Sequence, residues 1–285
     1  MNTTMNLVLQ GPQADPATLA RLAQLANPQR TTDVGAHAVR CEGVAFSADL
    51  KERVDAAAFE AGVDATFIAP GRSLADVRLV AMDMDSTLIT IECIDEIADM
   101  QGLKPQVSEI TEAAMRGELD FSESLRRRVA LLEGLDAGAL QRVYDERLRI
   151  SPGGEAMLHA VQAAGIRTLL VSGGFTFFTE RLGARLGLDY THANVLEIED
   201  GKLTGRVVGG IVDAGEKMRT VQRVCAELGV GTERAIVMGD GANDLKMMGV
   251  AGLSVAFRAK PVVYQQANVA LNFSGLDGLL NILAE

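Results

Sequence analysis

Three apolar runs, each followed at once by small or acidic residues, constrain the fold of this chain most strongly. They are LVAMDMDST at 79–87, LLVSGG at 169–174 and IVMGDGAND at 236–244. Helical patterns separate them, and strands that alternate with helices predict a parallel sheet with helices on both faces. Because the carboxyl ends of parallel strands meet at one edge of the sheet, where ligands bind, we expect the polar ends of these runs to form one site.

The larger domain is predicted to span residues 76–285 and to be an α/β fold with a Rossmann-like parallel-sheet core. Four helical segments, with no strand between them, follow its first strand at about 93–150. They predict a helical cap inserted after that strand. Further along, Asp200-Gly201 separates two alternating runs and predicts a two-residue hairpin turn.

A smaller α+β domain is predicted for residues 1–75, with the boundary at the helix-breaking stretch PGRS. Three strands are predicted there, at MNLVLQ, GAHAVRCEGVAF and VDATFIA. Two helices are predicted between them. The first has Asp15 at its N-cap and Pro16 in its first turn, and the second ends at Gly62.

Composition and charge exclude several classes of partner. The chain has 285 residues and a net charge of −11, and such an acidic surface repels phosphate backbones, so no nucleic-acid partner is expected. Its three cysteines, Cys41, Cys93 and Cys225, show no CxxC spacing and predict reduced thiols in a cytoplasmic protein. No signal peptide and no apolar run of membrane-spanning length is recognised, so no membrane partner is expected.

Each polar segment has an ordinary explanation when it is taken alone. An Asp after an apolar strand is commonly a turn residue or a helix cap, and Ser-Gly-Gly or Gly-Asp-Gly is commonly a loop. Their joint occurrence, each at the end of a predicted strand, is hard to produce by turn chemistry alone. We therefore interpret the three segments as parts of one functional site.

The four motifs DMDST, VSGG, a lysine in GEKM and GDGAND, in this order, resemble those of the haloacid-dehalogenase superfamily of aspartyl phosphatases. The segments IECIDEIA, GELDFSESLRRRVALL and AFRAKP are similar to segments of one family within it, the phosphoserine phosphatases. The resemblance covers about residues 78–285. Residues 1–75 match, in outline only, the ferredoxin-like, ACT-related module of longer bacterial members, which implies a regulatory or oligomerisation role and a possible homodimer.

The resemblance implies a phosphoryl transfer through a covalent intermediate. Asp83 matches the nucleophile, and Asp85 matches the general acid and base, which we expect to point the same way two residues on in an extended segment. Two carboxylates beside a phosphate call for a hard divalent cation, and Mg²⁺ is the implied cofactor. The implied ligands are the Asp83 side chain, the Asp85 carbonyl and the Asp240 side chain, with Asp244 supporting them from behind.

The implied substrate is a small molecule, L-phosphoserine, hydrolysed to L-serine and phosphate in the last step of serine biosynthesis. Glu92 matches the residue that meets the ammonium group, and Arg128 matches the arginine that pairs with the carboxylate. Met115 and Phe121 match apolar cap residues over the site. The residues expected to contact the phosphate are Ser172, Gly173, Gly174 and Lys217, and Asn243 is expected to hydrogen-bond the phosphate or the region of the nucleophile.

Three alternatives stay open at this point. The same chemistry could act on another small phosphate ester, or transfer the phosphoryl group to an acceptor alcohol. A signalling receiver domain also phosphorylates an aspartate at a strand end, but it is a single domain without a cap and without the DxD pair. An amino-acid sensor whose active part is residues 1–75 would require a decayed catalytic set, whereas the four motifs are intact.

Overall fold

The computed structural model describes residues 3–115 and 118–284. Its first unit is an antiparallel four-stranded sheet in the order β2-β3-β1-β4, the strand order of the ferredoxin-like βαββαβ fold. The elements are β1 (Thr3–Gln10), α1 (Pro16–Ala26), β2 (Arg30–Gly35), β3 (Ala38–Phe46), α2 (Ala48–Glu60) and β4 (Asp64–Ile68).

The two helices of this unit begin and end as the sequence predicts. The Asp15 carboxylate accepts the Thr18 amide at the N-cap of α1, and Pro16 is the first helical residue. The prediction of three strands was wrong. β2 was missed because its sequence, RTTDVG, is polar and lies at the exposed edge of the sheet. The predicted strand GAHAVRCEGVAF starts with the last residue of β2 and the turn that precedes β3.

The second sheet has seven strands in the order β11-β10-β9-β5-β6-β7-β8, and all neighbours are parallel except β7 and β8. This confirms the predicted α/β fold with a parallel-sheet core. The strands are β5 (Leu79–Met82), β6 (Arg167–Phe175), β7 (Tyr190–Glu199), β8 (Lys202–Val208), β9 (Ala235–Gly239), β10 (Leu253–Phe257) and β11 (Val269–Leu271). Because β9, β5 and β6 are neighbours, the three polar segments leave the sheet side by side.

Helices cover both faces of this sheet, since alternate residues of its buried strands point to opposite sides. Val80 and Met82 of β5 belong to one apolar cluster, whereas Leu79 and Ala81 belong to another. The last helix before β6 is α7 (Gly154–Ala163), and the helices after β6 are α8 (Thr176–Leu186), α9 (Ala214–Glu227), α10 (Leu245–Val250), α11 (Pro261–Tyr264) and α12 (Gly278–Ile282).

The connection from β5 to β6 carries the helices predicted for the cap. They are α3 (Cys93–Asp99), α4 (Lys104–Met115), α5 (Phe121–Ala130) and α6 (Gly138–Arg142), which continues into a wider turn at Val143–Arg147. Their apolar faces, including Val107, Leu125 and Val129, are buried in the larger of the two clusters around the sheet. The hairpin between β7 and β8 is also confirmed, because Asp200 and Gly201 both have positive φ between the paired residues Glu199 and Lys202.

Buried hydrogen bonds connect the first unit to the segment that follows β11 and to α12. The Asp64 carboxylate at the start of β4 accepts the amides of Asn272 and Ser274 at 2.7 and 2.8 Å. The Arg40 guanidinium donates to the carbonyl of Ile282 at 2.9 Å, next to the C-terminal end of α12. The first sheet therefore holds the segment that follows β11.

Candidate active site

The segment after β5 places two carboxylates in one cavity. Asp83 is 5% exposed, and its Oδ1 accepts the Met84 amide at 2.8 Å. Asp85 itself has extended backbone angles, with a φ of −63° and a ψ of 135°, but it lies within a wide turn, Met84–Leu88, rather than in a straight extended segment. The chain turns at Ser86, which has a φ of +55°, and the Leu88 amide donates to the Asp83 carbonyl. Asp85 still reaches the cavity because its Oδ1 accepts the Cys93 amide at the start of α3, at 3.1 Å.

Lys217 lies behind Asp83. Its ammonium is fully buried, 2.8 Å from Oδ1 of Asp83 and 2.7 Å from Oδ1 of Asp244. Helix α9 delivers it there, since the helix starts at the N-cap Asp213 and Lys217 lies in its first full turn. Burial would lower the pKa of Lys217, but the two carboxylates outweigh it and raise the pKa above its ordinary value. The lysine therefore stays charged, against Asp83 and outside the residues that line the cavity.

Asp240 and Asp244 follow β9. Asp244 is fully buried, and its Oδ2 accepts the amides of Asp240 and Gly241 at 3.1 Å, which fixes the turn. The Asp240 carboxylate accepts the Thr87 hydroxyl at 3.2 Å. Oxygens of Asp83, Asp240 and Asp244 lie within 4.8 Å of one another.

This acidic cluster fits a divalent cation. Burial, followed by the charge of Asp244, raises the pKa of Asp240 to about 7, and the same two causes raise the pKa of Asp83 well above its usual value. One buried ammonium does not offset three neighbouring carboxylates, and hard oxygen donors are the ligands that Mg²⁺ and Ca²⁺ take.

Asp85 has the ionisation behaviour of a proton carrier. Burial raises its pKa to about 7, and the charge of Glu92 adds to this effect. Near neutral pH such a group exchanges between its acid and base forms, which suits a residue that gives and later takes a proton.

The loop Ser172–Gly174 packs closely against Asp85 and Phe121 and lines the cavity. The Gly174 amide donates to the Ser172 hydroxyl at 2.8 Å. A Cβ on Gly173 would lie 2.8 Å from the ring of Phe121, and one on Gly174 would lie 2.8 Å from Oδ2 of Asp85. A larger residue at either position would therefore have to displace the Phe121 ring or the Asp85 carboxylate. Helix α8 begins just beyond the loop, so unpaired helix amides lie next to it.

These groups open into a cavity of about 830 Å³ between the sheet edge and the helices α3–α5. Glu92 lies on its wall, where its carboxylate accepts the Ser86 hydroxyl at 2.6 Å and burial raises its pKa. Arg128 of α5 lies on the same wall. Burial lowers the pKa of Arg128, an effect opposed by the charges of Asp95, Glu92 and Asp85. The cavity thus has an anion and a cation on its wall besides the acidic cluster at its base.

The structure brings most of the predicted site residues together. Those that line the cavity are Asp83, Asp85, Glu92, Phe121, Arg128, Ser172, Gly173, Gly174, Asp240 and Asn243. Lys217 contacts Asp83 from behind, and the side chain of Met115 lies outside the described residues.

Sequence reasoning missed two charged residues of the cavity wall, Asp95 and Lys260. Lys260 precedes the first residue of α11, and its amide donates to the Asp240 carbonyl at 3.1 Å. Lys260 lies in the segment AFRAKP, three residues beyond the end of β10, and a lysine so close to a strand end is a signal that could have found it. Thr87, in DMDST, was missed as a partner of Asp240.

The fold and the site define a class of enzyme: a hydrolase with a mostly parallel sheet between helices, further helices over its cavity, and an acidic cluster at the carboxyl ends of its central strands. Residues 80–249 match the family model of haloacid dehalogenase-like hydrolases. The chain belongs to the haloacid dehalogenase-like hydrolase family.

Individual proteins and solved structures of this family are also similar to the chain. The chain is 54% identical to a phosphoserine phosphatase of Polaromonas sp. over 227 residues, which are 78% of this chain and 96% of that protein. A HAD family hydrolase from Salmonella enterica serovar Typhi superposes with a TM-score of 0.90 at 32% identity, covering 99% of both chains. A probable phosphoserine phosphatase from Vibrio cholerae gives a TM-score of 0.84 at 37% identity, covering 98% of this chain and 86% of that one.

Proposed function

We propose that this chain is a phosphoserine phosphatase that hydrolyses L-phosphoserine to L-serine and phosphate. One observation carries the proposal: a single cavity joins the acidic cluster around Asp83 to Glu92 and Arg128 on its wall. A phosphate, an ammonium and a carboxylate on one small molecule would match these three features together. The names of the Polaromonas and Vibrio cholerae relatives support the same substrate.

The first step forms a phosphoaspartate on Asp83. Within the described part of the chain, Oδ1 of Asp83 is held by Lys217 and the Met84 amide, which leaves Oδ2 to attack phosphorus. As the new O–P bond forms, the bond from phosphorus to the serine oxygen breaks. Asp85 gives its proton to that oxygen, and serine leaves.

The second step regenerates the enzyme. A water molecule gives a proton to the ionised Asp85 and attacks the phosphorus of the phosphoaspartate. The bond between phosphorus and Asp83 breaks, and inorganic phosphate leaves. The buried Lys217, the Gly173 amide and the Ser172 hydroxyl, which the Gly174 amide holds in place, stabilise the negative charge throughout, since fixed donors in a water-poor site need little reorganisation.

Magnesium is the cofactor that we propose for the acidic cluster. The residues that would hold it are Asp83 and Asp240 through their carboxylates and Asp85 through its carbonyl. Asp244 would orient these ligands, because its Oδ2 fixes the amides of Asp240 and Gly241 and its Oδ1 holds Lys217, which in turn contacts Asp83. When bound, the cation supplies positive charge opposite the phosphate oxygens.

Magnesium binding should depend on pH in a defined direction. The pKa of Asp240 is raised to about 7 in the folded, metal-free protein, whereas an aspartate in the unfolded chain keeps its ordinary, lower pKa. Between these two pKa values, the folded protein holds a proton on Asp240 that the unfolded chain has lost. The raised pKa of Asp240 therefore destabilises the metal-free fold progressively as the pH rises from about 4 to 7. Mg²⁺ must displace the same protons, so we expect its stabilising shift in Tm to be larger at pH 8 than at pH 6.

Thermal unfolding with EDTA or with excess Mg²⁺, at pH 6, 7 and 8, measures this shift. Asp240→Asn should lose most of it. Asp95→Asn, which removes a carboxylate from the cavity wall outside the cluster, should keep it. A shift that is equal at all three pH values, or that survives Asp240→Asn, would contradict the proposed site.

Arg128 provides the sharpest test of the substrate. Truncation of one partner of a buried charge pair costs about 2–5 kcal/mol, so Arg128→Ala should lower kcat/KM for phosphoserine by at least about 30-fold. Turnover of an aryl phosphate, which has no carboxylate to bind, should change little. Arg127→Ala is the matched control, because Arg127 is exposed on the same helix and pairs with Glu123.

Equal losses on both substrates would assign Arg128 to phosphate binding or to structure. In that case the second candidate, a phosphatase or phosphotransferase acting on another small phosphate ester, would fit the site better. Steady-state phosphate release with both substrates decides between them.

We also propose that the two parts of the chain, residues 1–75 and 76–285, have different roles. Residues 76–285, with a cap at about 93–150, carry the chemistry, because all the described residues that line the cavity lie at Asp83 or beyond. Residues 1–75 would serve as an ACT-like module for regulation or for contact with a second copy, and they brace the segment after β11. Every helix in the described ranges is too short or too polar to cross a membrane. A cytoplasmic location is part of the proposal.

A further inference from the structure

The pairing of β6 with β7 contains an irregularity at the active site. Val171 pairs with His192, and the next pair is Phe175 with Asn194. Three residues of β6, Ser172–Gly174, therefore lie opposite a single residue of β7. The extra residues bulge out of the ladder toward the cavity, which is how this loop reaches Asp85.

A bulge leaves backbone groups without ladder partners, and buried groups of this kind need another partner. Asn194 supplies it. Its side chain is buried, with 1% of the residue exposed, and Nδ2 donates to the Gly173 carbonyl at 2.7 Å. Its Oδ1 accepts the Val212 amide at 2.8 Å. Asn194 does not line the cavity, so it acts from the far side of the loop.

We propose that Asn194 is a positioning residue of the phosphate-binding loop. The Gly173 carbonyl and the Gly174 N–H belong to one peptide unit, and in a trans peptide they point in opposite directions. A carbonyl held by Asn194 on the far side therefore turns the Gly174 N–H toward the Ser172 hydroxyl and the cavity. This inference rests on the proposed function, in which the Ser172 hydroxyl held by that amide meets the phosphate.

The second contact of Asn194 links the loop to Lys217. Val212 directly precedes Asp213, the N-cap of α9, and α9 carries Lys217 to Asp83. The side-chain amide of Asn194 thus sets the direction of the Gly174 N–H. It also holds the segment before α9, the helix whose Lys217 contacts the nucleophile Asp83. An Asn is required because one contact needs a donor and the other needs an acceptor.

Two substitutions test this role. Asn194→Asp keeps the acceptor for Val212 but places an anion against the Gly173 carbonyl, and Asn194→Leu removes both contacts. Groups that orient ligands or fixed donors are worth about 10- to 100-fold in activity, so we expect kcat/KM to fall by that factor. The losses should be equal for phosphoserine and an aryl phosphate, because both present the same phosphate. The inhibition constant of inorganic phosphate should rise together with KM.

Thr179→Val is the control, because Thr179 is fully buried in α8 and its hydroxyl has no partner among the described residues. It should leave KM and phosphate inhibition unchanged. Loss of folded protein lowers kcat alone, so Asn194 variants with unchanged KM and unchanged phosphate inhibition would overturn the proposal. A wild-type protein that hydrolyses neither substrate would instead refute the proposed function, which keeps the two failures distinct.

Discussion

Asp83→Asn should lower steady-state turnover of phosphoserine by at least about 10⁴-fold, as expected when a covalent nucleophile is removed. The amide is a poor nucleophile, and it also leaves the buried Lys217 with one carboxylate fewer. Acid-quenched wild-type enzyme should carry radioactive phosphate from labelled substrate, whereas the variant should carry none.

Asp95→Asn serves as the control for this experiment, since it removes another carboxylate from the same cavity wall. It should still become labelled. Near-normal turnover by Asp83→Asn would mean that water attacks the substrate directly, and the covalent route would have to be abandoned.

Asp85→Asn should produce the second large effect, a loss of about 10²–10⁴-fold, which is the usual contribution of a general acid or base. The loss should fall unevenly on the two steps. An aryl phosphate has a leaving group that needs no proton, so its first step should be nearly normal. The second step still needs a base for water, and the phosphoenzyme should therefore accumulate.

Rapid-quench measurements with the aryl phosphate detect this difference as a burst of phenol followed by a slow steady state. Wild-type enzyme should show a much faster steady state under the same conditions. A variant that slows the burst and the steady state equally would show that Asp85 does not separate the two steps as proposed.

The site was predictable where the sequence places reactive residues at the ends of apolar strands. Topology alone then brings Asp83, Ser172 and Asp240 together, because β5 has β6 and β9 as its neighbours. The hairpin at Asp200-Gly201 was predictable for a similar reason, since few residue pairs tolerate two successive positive φ angles.

The misses have local physical causes. The strand β2 has no apolar alternation because it lies at a sheet edge, so its sequence is typical of a loop. The turn after Asp83 depends on a left-handed Ser86, a conformation that serine adopts only when surrounding contacts hold it there. Asn194 looks in the sequence like an ordinary polar residue of a strand, because the bulge that gives it a role arises only when β6 and β7 pair.

The central claim is most directly tested by phosphate release from L-phosphoserine, compared at saturating Mg²⁺ with phosphoethanolamine and phospholactate. The first analogue lacks the carboxylate that Arg128 would bind, and the second lacks the ammonium that Glu92 would bind. The account predicts rapid release from L-phosphoserine, a kcat/KM at least about 30-fold lower for each analogue, and no activity with EDTA. Equal kcat/KM for all three esters, or full activity in EDTA, would contradict it.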